Sequence, residues 1–397
     1  MTFLRWSLLI GLVLGAMVTA SLLSDPQEWK ATVRWAEERA AQWQRARCEC
    51  PVLQGQTSVG SSLAGYGEAA RLAGSLGGGH GERLAKLLAA SGAAGLPTDA
   101  DRAAFAAIEP AVTAMREAAH RPSASGAAPH NLAGAAPAMY DLLDAHRALL
   151  LMARVKVAAG DPVAAVQCWL DGLACGVDLT AGETPLDQAL GAVLVEQVVD
   201  AVLDDLLKAA DPTLLTSFAA ALAAADRALD VECHWVASVV VHMVQFLRDT
   251  ADPRPEDIGL RSPLLAWRHG FSLRRSGIAR AVDLVALVQR FERESTAGEP
   301  WPSRRARLQL VVDEDRATNR DMMFPPLTSS IEREELRRGA SARLRLLRLA
   351  VAFHLGNDLP RLADPMAATT LTAVVSGDRA TFTSQDPRLA RTALRRR

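Results

Sequence analysis

The 397-residue sequence predicts an all-α protein: an irregular array of antiparallel helical hairpins, with an N-terminal membrane anchor or signal and a small C-terminal β-hairpin. Three observations predict it. Only two Tyr and nine Phe occur in a chain that is 49% hydrophobic and rich in Ala and Leu, whereas sheets favour aromatic and β-branched side chains. Apolar residues recur at spacings of three and four through successive segments, separated mostly by short Pro, Gly or Asp turns. The N-terminus carries one unbroken uncharged run. With 22% charged residues and a net charge of −1, the composition excludes a wholly disordered chain, a collagen-like repeat and a disulfide-dense miniprotein.

Residues 1–24 read as the anchor or signal. Arg5 precedes eighteen uncharged, mostly apolar residues from Trp6 to Leu23, and Asp25 and Glu28 follow. Val18-Thr19-Ala20 suits signal-peptidase cleavage, whereas the apolar character continuing to Leu23 favours a retained anchor, the reading preferred here. The charge order sends the rest of the chain out of the cytoplasm. The expected location is therefore the bacterial envelope, as a single-pass inner-membrane protein, or a periplasmic or secreted one if the segment is cleaved. Lysine occupies only positions 30, 86, 156 and 208, a bias that fits GC-rich bacterial coding.

Residues 25–47 form an amphipathic helix, with Trp29, Val33, Ala36, Ala40 and Trp43 on one stripe and Pro26 in its first turn. From Cys48 to His80 the composition turns to Gly and Ser and predicts a flexible linker. Residues 81–136 hold short helices at 81–92 and 98–120, the second opened by Thr98 with Asp101 as a capping-box variant, then a loop at 122–136. The main array spans 137–355, with helices expected at 137–159, 161–176, 186–210, 212–229, 230–250, 263–295, 303–320 and 330–355. In the 186–210 helix, Leu186, Leu190, Val193, Leu194, Val198, Val202 and Leu206 predict one buried face and one wet face. Residues 356–397 hold the hairpin, turning at Gly377-Asp378, and a basic tail.

Two local resemblances accompany these patterns. Leu149 and Ala153, the Gly160-Asp161 turn, then Ala165, Trp169 and Gly172 make residues 146–179 resemble one tetratricopeptide-type helical hairpin, although no copy repeats at a fixed period. Asp364-Pro365, followed by a short hairpin ending in a serine, makes residues 364–384 resemble the closing segment of type II secretion pseudopilins. Two features of that family are missing. Gln385 to Arg391 offers one carboxylate where a calcium loop would follow, and the N-terminus lacks the pilin cleavage context.

No motif specifies chemistry. Gly74 to Gly81 lacks the Lys-Ser/Thr of a phosphate loop, and Asp141/Asp144 and Glu292/Glu294 are no better as acid/base pairs than any solvated helix face. His234 and His242, eight apart, are out of register for one metal. Of five cysteines, Cys168, Cys175 and Cys233 read as small buried hydrophobes, and a bond between Cys168 and Cys175, two helical turns apart, is geometrically excluded. No cofactor or metal is expected. The compositional signal is charge segregation: residues 1–252 carry a net −10 and residues 253–397 a net +9. Arg337, Arg338, Arg343 and Arg345 are the candidate interaction surface, for an acidic protein or anionic lipid headgroups; the alternative is that they pack on the acidic half. Nucleic acid is disfavoured. The expected function is a membrane-tethered extracytoplasmic scaffold that holds envelope proteins, with an exported hydrolase of dispersed active site as the alternative.

Overall fold

The computed structural model describes residues 27–48, 62–76, 80–90, 96–98, 101–121, 132–180, 185–205, 212–230, 244, 263–294, 299–318, 329–385 and 392–395. Its helices are α1 (Gln27–Cys48), α2 (Ser62–Gly74), α3 (His80–Ala89), α4 (Arg102–Ala119), α5 (Leu132–Ala158), α6 (Pro162–Thr180), α7 (Pro185–Asp205), α8 (Pro212–Asp230), α9 (Pro263–Glu294), α10 (Trp301–Thr318) and α11 (Ser329–Leu355). Strands β1 (Thr372–Ser376), β2 (Arg379–Thr383) and β3 (Thr392–Arg395) form an antiparallel sheet in that order. The structure is thus mostly helical with the expected hairpin, β1–β2, at its close, but β3 adds a third strand where a basic tail is expected. Among the described residues no helix is long and apolar enough to cross a membrane, and the anchor expected at 6–23 lies outside them. So does the helix expected at 230–250, apart from Asp230 and Val244.

Local chemistry sets the helix ends. After α5, Gly160 takes φ +77, the Asp161 N–H reaches the Lys156 carbonyl at 2.9 Å and the Gly160 N–H reaches Val157 at 3.0 Å, a Schellman close. Asp161 then caps α6 by accepting from the Ala164 N–H at 3.1 Å, with Pro162 in the first helical position. Gly356, φ +76, ends α11 in the same way, with Asn357 donating to Ala352 at 3.0 Å. The Thr98/Asp101 box is only half formed. Asp101 Oδ2 accepts from the Thr98 N–H at 2.8 Å and hydroxyl at 2.7 Å, but α4 starts after this turn, at Arg102.

Two hydrophobic clusters organise the described residues. One gathers α2 to α8, most of α11 and the sheet around Trp169, Tyr66, Phe218 and Phe382; the other gathers α1, α9, α10, Val244, Ile331, Ala342 and Met366. Helix α11 serves both. Trp29 and Ala36 of α1 are buried as their stripe predicts, on the cluster that contains α9. Helix α7 departs from its expected one-faced pattern. Ala192, Val195, Val199 and Ala201 are buried together with Leu190, Leu194, Val198 and Val202, because α5, α6 and α11 all pack on it. Among its described side chains only Asp200 is exposed.

The linker expected over 48–80 is corrected at its centre, where residues 62–74 form α2. Ser62, Gly65, Tyr66, Ala69, Ala70 and Ala73 are all buried, at helical spacing. A Cβ on Gly65 would lie 2.5 Å from the Ala118 Cβ, so the small residues serve close approach to α4. The loop expected at 122–136 is helical from Leu132, and its earlier part lies outside the described residues.

Helices α6 and α7 approach closely through glycine. A Cβ on Gly191 would stand 2.4 Å from the Thr180 backbone nitrogen and 2.5 Å from the Gly176 carbonyl oxygen. Backbone cannot yield as a side-chain tip can, so Gly191→Ala is expected to cost about 1–3 kcal/mol despite alanine's higher helix propensity. Gly67 of α2, which has nothing within 4 Å of its would-be Cβ, is the control. Gly67→Ala should stabilise by about 0.5–1 kcal/mol. Denaturant midpoints that move the same way in both variants would contradict this account.

Candidate functional site

The four arginines singled out by charge all lie on α11 and all have partners within the chain. Arg337 bonds Glu334 at 2.7 Å and donates to the Leu229 carbonyl at the end of α8. Arg338 bonds Glu334 at 2.7 Å, donates to the Pro365 carbonyl at 3.0 Å and stacks 4.6 Å above the Trp301 ring. Arg343 reaches Asp200 on α7 at 3.0 Å and lies near Glu196. Arg345 bonds Asp226 on α8 at 2.7 Å and the Ala363 carbonyl at 2.9 Å, and Arg348 closes on the other oxygen of Asp226. The basic half of the sequence is therefore joined to the acidic half through α11. Burial raises the Glu196 carboxyl above its usual range, Arg343 opposes this, and Asp200 reinforces it. Burial also raises Glu334, but its arginines outweigh burial and hold it below the ordinary value.

A second polar cluster joins α4 to α6. The buried Asp171 carboxylate accepts from Arg116 Nε at 2.7 Å, Gln167 Nε2 at 2.8 Å and His120 Nε2 at 3.1 Å. Two i,i+4 pairs, Arg116/His120 and Gln167/Asp171, face each other across the helices, a spacing visible in sequence but not singled out there. A histidine held by a carboxylate is one component of nucleophilic catalysis. The Cys168 thiol, however, is pushed up by burial, opposed by Arg116 and helped by Asp171, so it stays protonated at neutral pH.

Asp141 and Asp144, on α5, meet the glycine-rich run. A Cβ on Gly74 would fall 2.3 Å from Asp141 Oδ2, and one on Gly81 2.4 Å from Asp144 Oδ2. These glycines leave room for the two carboxylates. Burial and the neighbouring Asp144 raise the Asp141 carboxyl, and Asp144 bonds Arg147 at 3.0 Å. Glu292 on α9 accepts from Arg39 at 2.6 Å, tying α1 down. The Glu294 side chain, like His234 and His242, lies outside what is described. Cys168 and Cys175 are buried and free, and burial raises the Cys175 thiol well above its usual value. Among the described residues no group of three His, Cys, Asp or Glu could hold a metal ion.

The Asp-Pro segment shows what its aspartate does locally. Asp364 is buried and accepts from the Met366 N–H at 2.9 Å, the Ser384 hydroxyl at 2.6 Å and the Gln385 N–H at 2.9 Å. One carboxylate thus fastens both ends of the hairpin, and Phe382 of β2 packs edge-on against Phe353 of α11, ring centroids 6.2 Å apart.

These features define an ion-paired α-helical array closed by a small antiparallel sheet. No family model, no curated protein and no solved structure matches the chain.

Proposed function

We propose that the protein is a scaffold for protein–protein interaction in the bacterial envelope, tethered by residues 6–23 with its bulk outside the cytoplasm. One observation supports this reading above the others. The prominent polar clusters link helices to one another: α11 to α7 and α8, α4 to α6, and α1 to α9. Their carboxylates are occupied by arginine, which suits a frame that holds its shape more than a site that turns over substrate. Helical arrays of this kind expose extended surfaces to partners. The uncharged run from Trp6 to Leu23, with Arg5 before it and Asp25 after it, supports the tether and its direction.

The four α11 arginines serve the frame through the contacts above, so reversing their charge would report on folding as well as on a partner. The test is instead twofold. A periplasm-dependent reporter fused after Arg397 should be active, and affinity purification of the solubilised full-length protein should recover the same envelope protein repeatedly. A reporter active only in the cytoplasm overturns the location. Failure to recover any envelope protein overturns the scaffold.

A further inference from the structure

We propose that the open edge of β1 is a self-association site, at which two copies of the chain pair their β1 strands antiparallel about a twofold axis at Val375.

Strand β1 is the outer strand of the sheet and, among the described residues, pairs with β2 alone, in a register that runs from Thr372↔Thr383 to Ser376↔Arg379. All five of its residues are exposed, with Val374 at 60% and Val375 at 50%. Natural sheet edges are blunted by lysine, proline, bulges or a covering element. Thr372-Ala-Val-Val-Ser376 has neither charge nor proline, and its register with β2 runs without a bulge.

The hydrogen-bonding phase of this edge follows from two features. The two-residue loop Gly377-Asp378 makes Ser376↔Arg379 a hydrogen-bonded pair, so alternation turns the peptide groups of Ala373 and Val375 towards the open side. Leu371, of the same parity, donates to the Leu362 carbonyl at 2.9 Å, and Ala363 bridges Thr370. The segment around Ala363 thus closes the start of the edge and leaves it open from Ala373 onward.

A second copy of β1 fits what remains. Antiparallel pairing about Val375 sets Val375 opposite its own copy, Val374 opposite Ser376 and Ala373 opposite Gly377, with no charged residue facing another. Val375 lies beside Ala380, which is buried, so the pairing makes one continuous apolar row, Ala380–Val375–Val375–Ala380, across a six-stranded sheet. Main-chain bonds supply the attraction, as in other strand additions, and the row of small and β-branched residues supplies the fit.

The test uses the full-length chain in detergent or nanodiscs. Val375→Cys should cross-link to itself through a short bis-maleimide, and mass spectrometry should find the introduced thiol of one copy joined to the same thiol of the other. Val163→Cys, at least as accessible on α6, should not. Sedimentation velocity should show a monomer–dimer equilibrium that Val375→Lys weakens by more than about tenfold, because like charges meet on the axis. Val375→Thr should preserve it. Circular dichroism should be unchanged in all variants, since the side chain is half exposed. The proposal is overturned if the wild type stays monomeric and Val375→Cys fails to cross-link. It is equally overturned if the dimer persists in Val375→Lys, or if another protein occupies the edge while the chain remains monomeric. None of these outcomes depends on the reporter or co-purification results above.

Discussion

Replacing Asp226 with alanine is expected to lower the unfolding free energy by about 3–5 kcal/mol, because it strands two arginines in a low-dielectric contact. Asp226 is 5% exposed, and its two oxygens receive Arg345 and Arg348 separately. Arg345 is itself buried and also holds the Ala363 carbonyl at 2.9 Å, so one cluster links α8, α11 and the segment leading into the sheet. With the carboxylate gone, either the Arg345 guanidinium stays buried without a counter-charge and the half-buried Arg348 loses its partner, or α11 moves to let water in and loses contacts of Leu344 and Leu347. A buried ion pair is not itself a large net source of stability, since desolvation offsets most of the attraction. The effect comes from breaking it on one side only. Replacing Asp226, Arg345 and Arg348 together with apolar residues of similar size should therefore recover most of the loss. Urea unfolding followed by circular dichroism measures both, and a single-variant loss below about 1 kcal/mol would refute this account of the cluster.

How far such contacts were legible in the sequence differs between elements. The α5–α6 turn, the end of α11 and the hairpin at Gly377-Asp378 depend on residues within a few positions of one another, so Gly, Asp and Pro mark them directly. Helix α2 was hidden for the opposite reason. Its Gly65, Ala69, Ala70 and Ala73 resemble linker residues one by one, and only α4 and α5, distant in sequence, make their small size useful for packing. The arginines of α11 were legible as a charge excess, but a sum over residues does not say which carboxylate each one meets. Asp200 and Asp226 lie more than a hundred positions away. The Asp171 cluster shows the middle case: both i,i+4 pairs can be read locally, whereas the fact that they face one another belongs to the packing of α4 on α6.

Acidification provides the second large effect, through His146 on α5. This imidazole is fully buried beside α6 and α7, with Nδ1 3.1 Å from Gln197 Oε1 and Nε2 close to Gly172. Burial, aided by Arg147, lowers its pKa to about 4, against the opposing influence of Gln197 and the Gly172 backbone. In the unfolded chain the same group titrates near the ordinary value of 6.5. Between those two values the unfolded state binds the proton and the folded state does not, so stability rises with pH across the window. The full contribution is present above about pH 6.5, is lost progressively as the pH falls towards 4, and changes no further below that. The difference amounts to about 3 kcal/mol between the two plateaus. Other partly buried groups, including Glu196 and Asp141, also titrate as the protein is acidified, so the wild-type slope alone does not isolate His146. His146→Gln does, because the amide still donates towards Gln197 and carries no proton to gain. The variant should be less stable than wild type at pH 7 through lost packing, with a shallower dependence between pH 6.5 and 4. Denaturant midpoints measured across that range should converge for the two proteins as the pH falls, and parallel profiles would rule out His146 as the source.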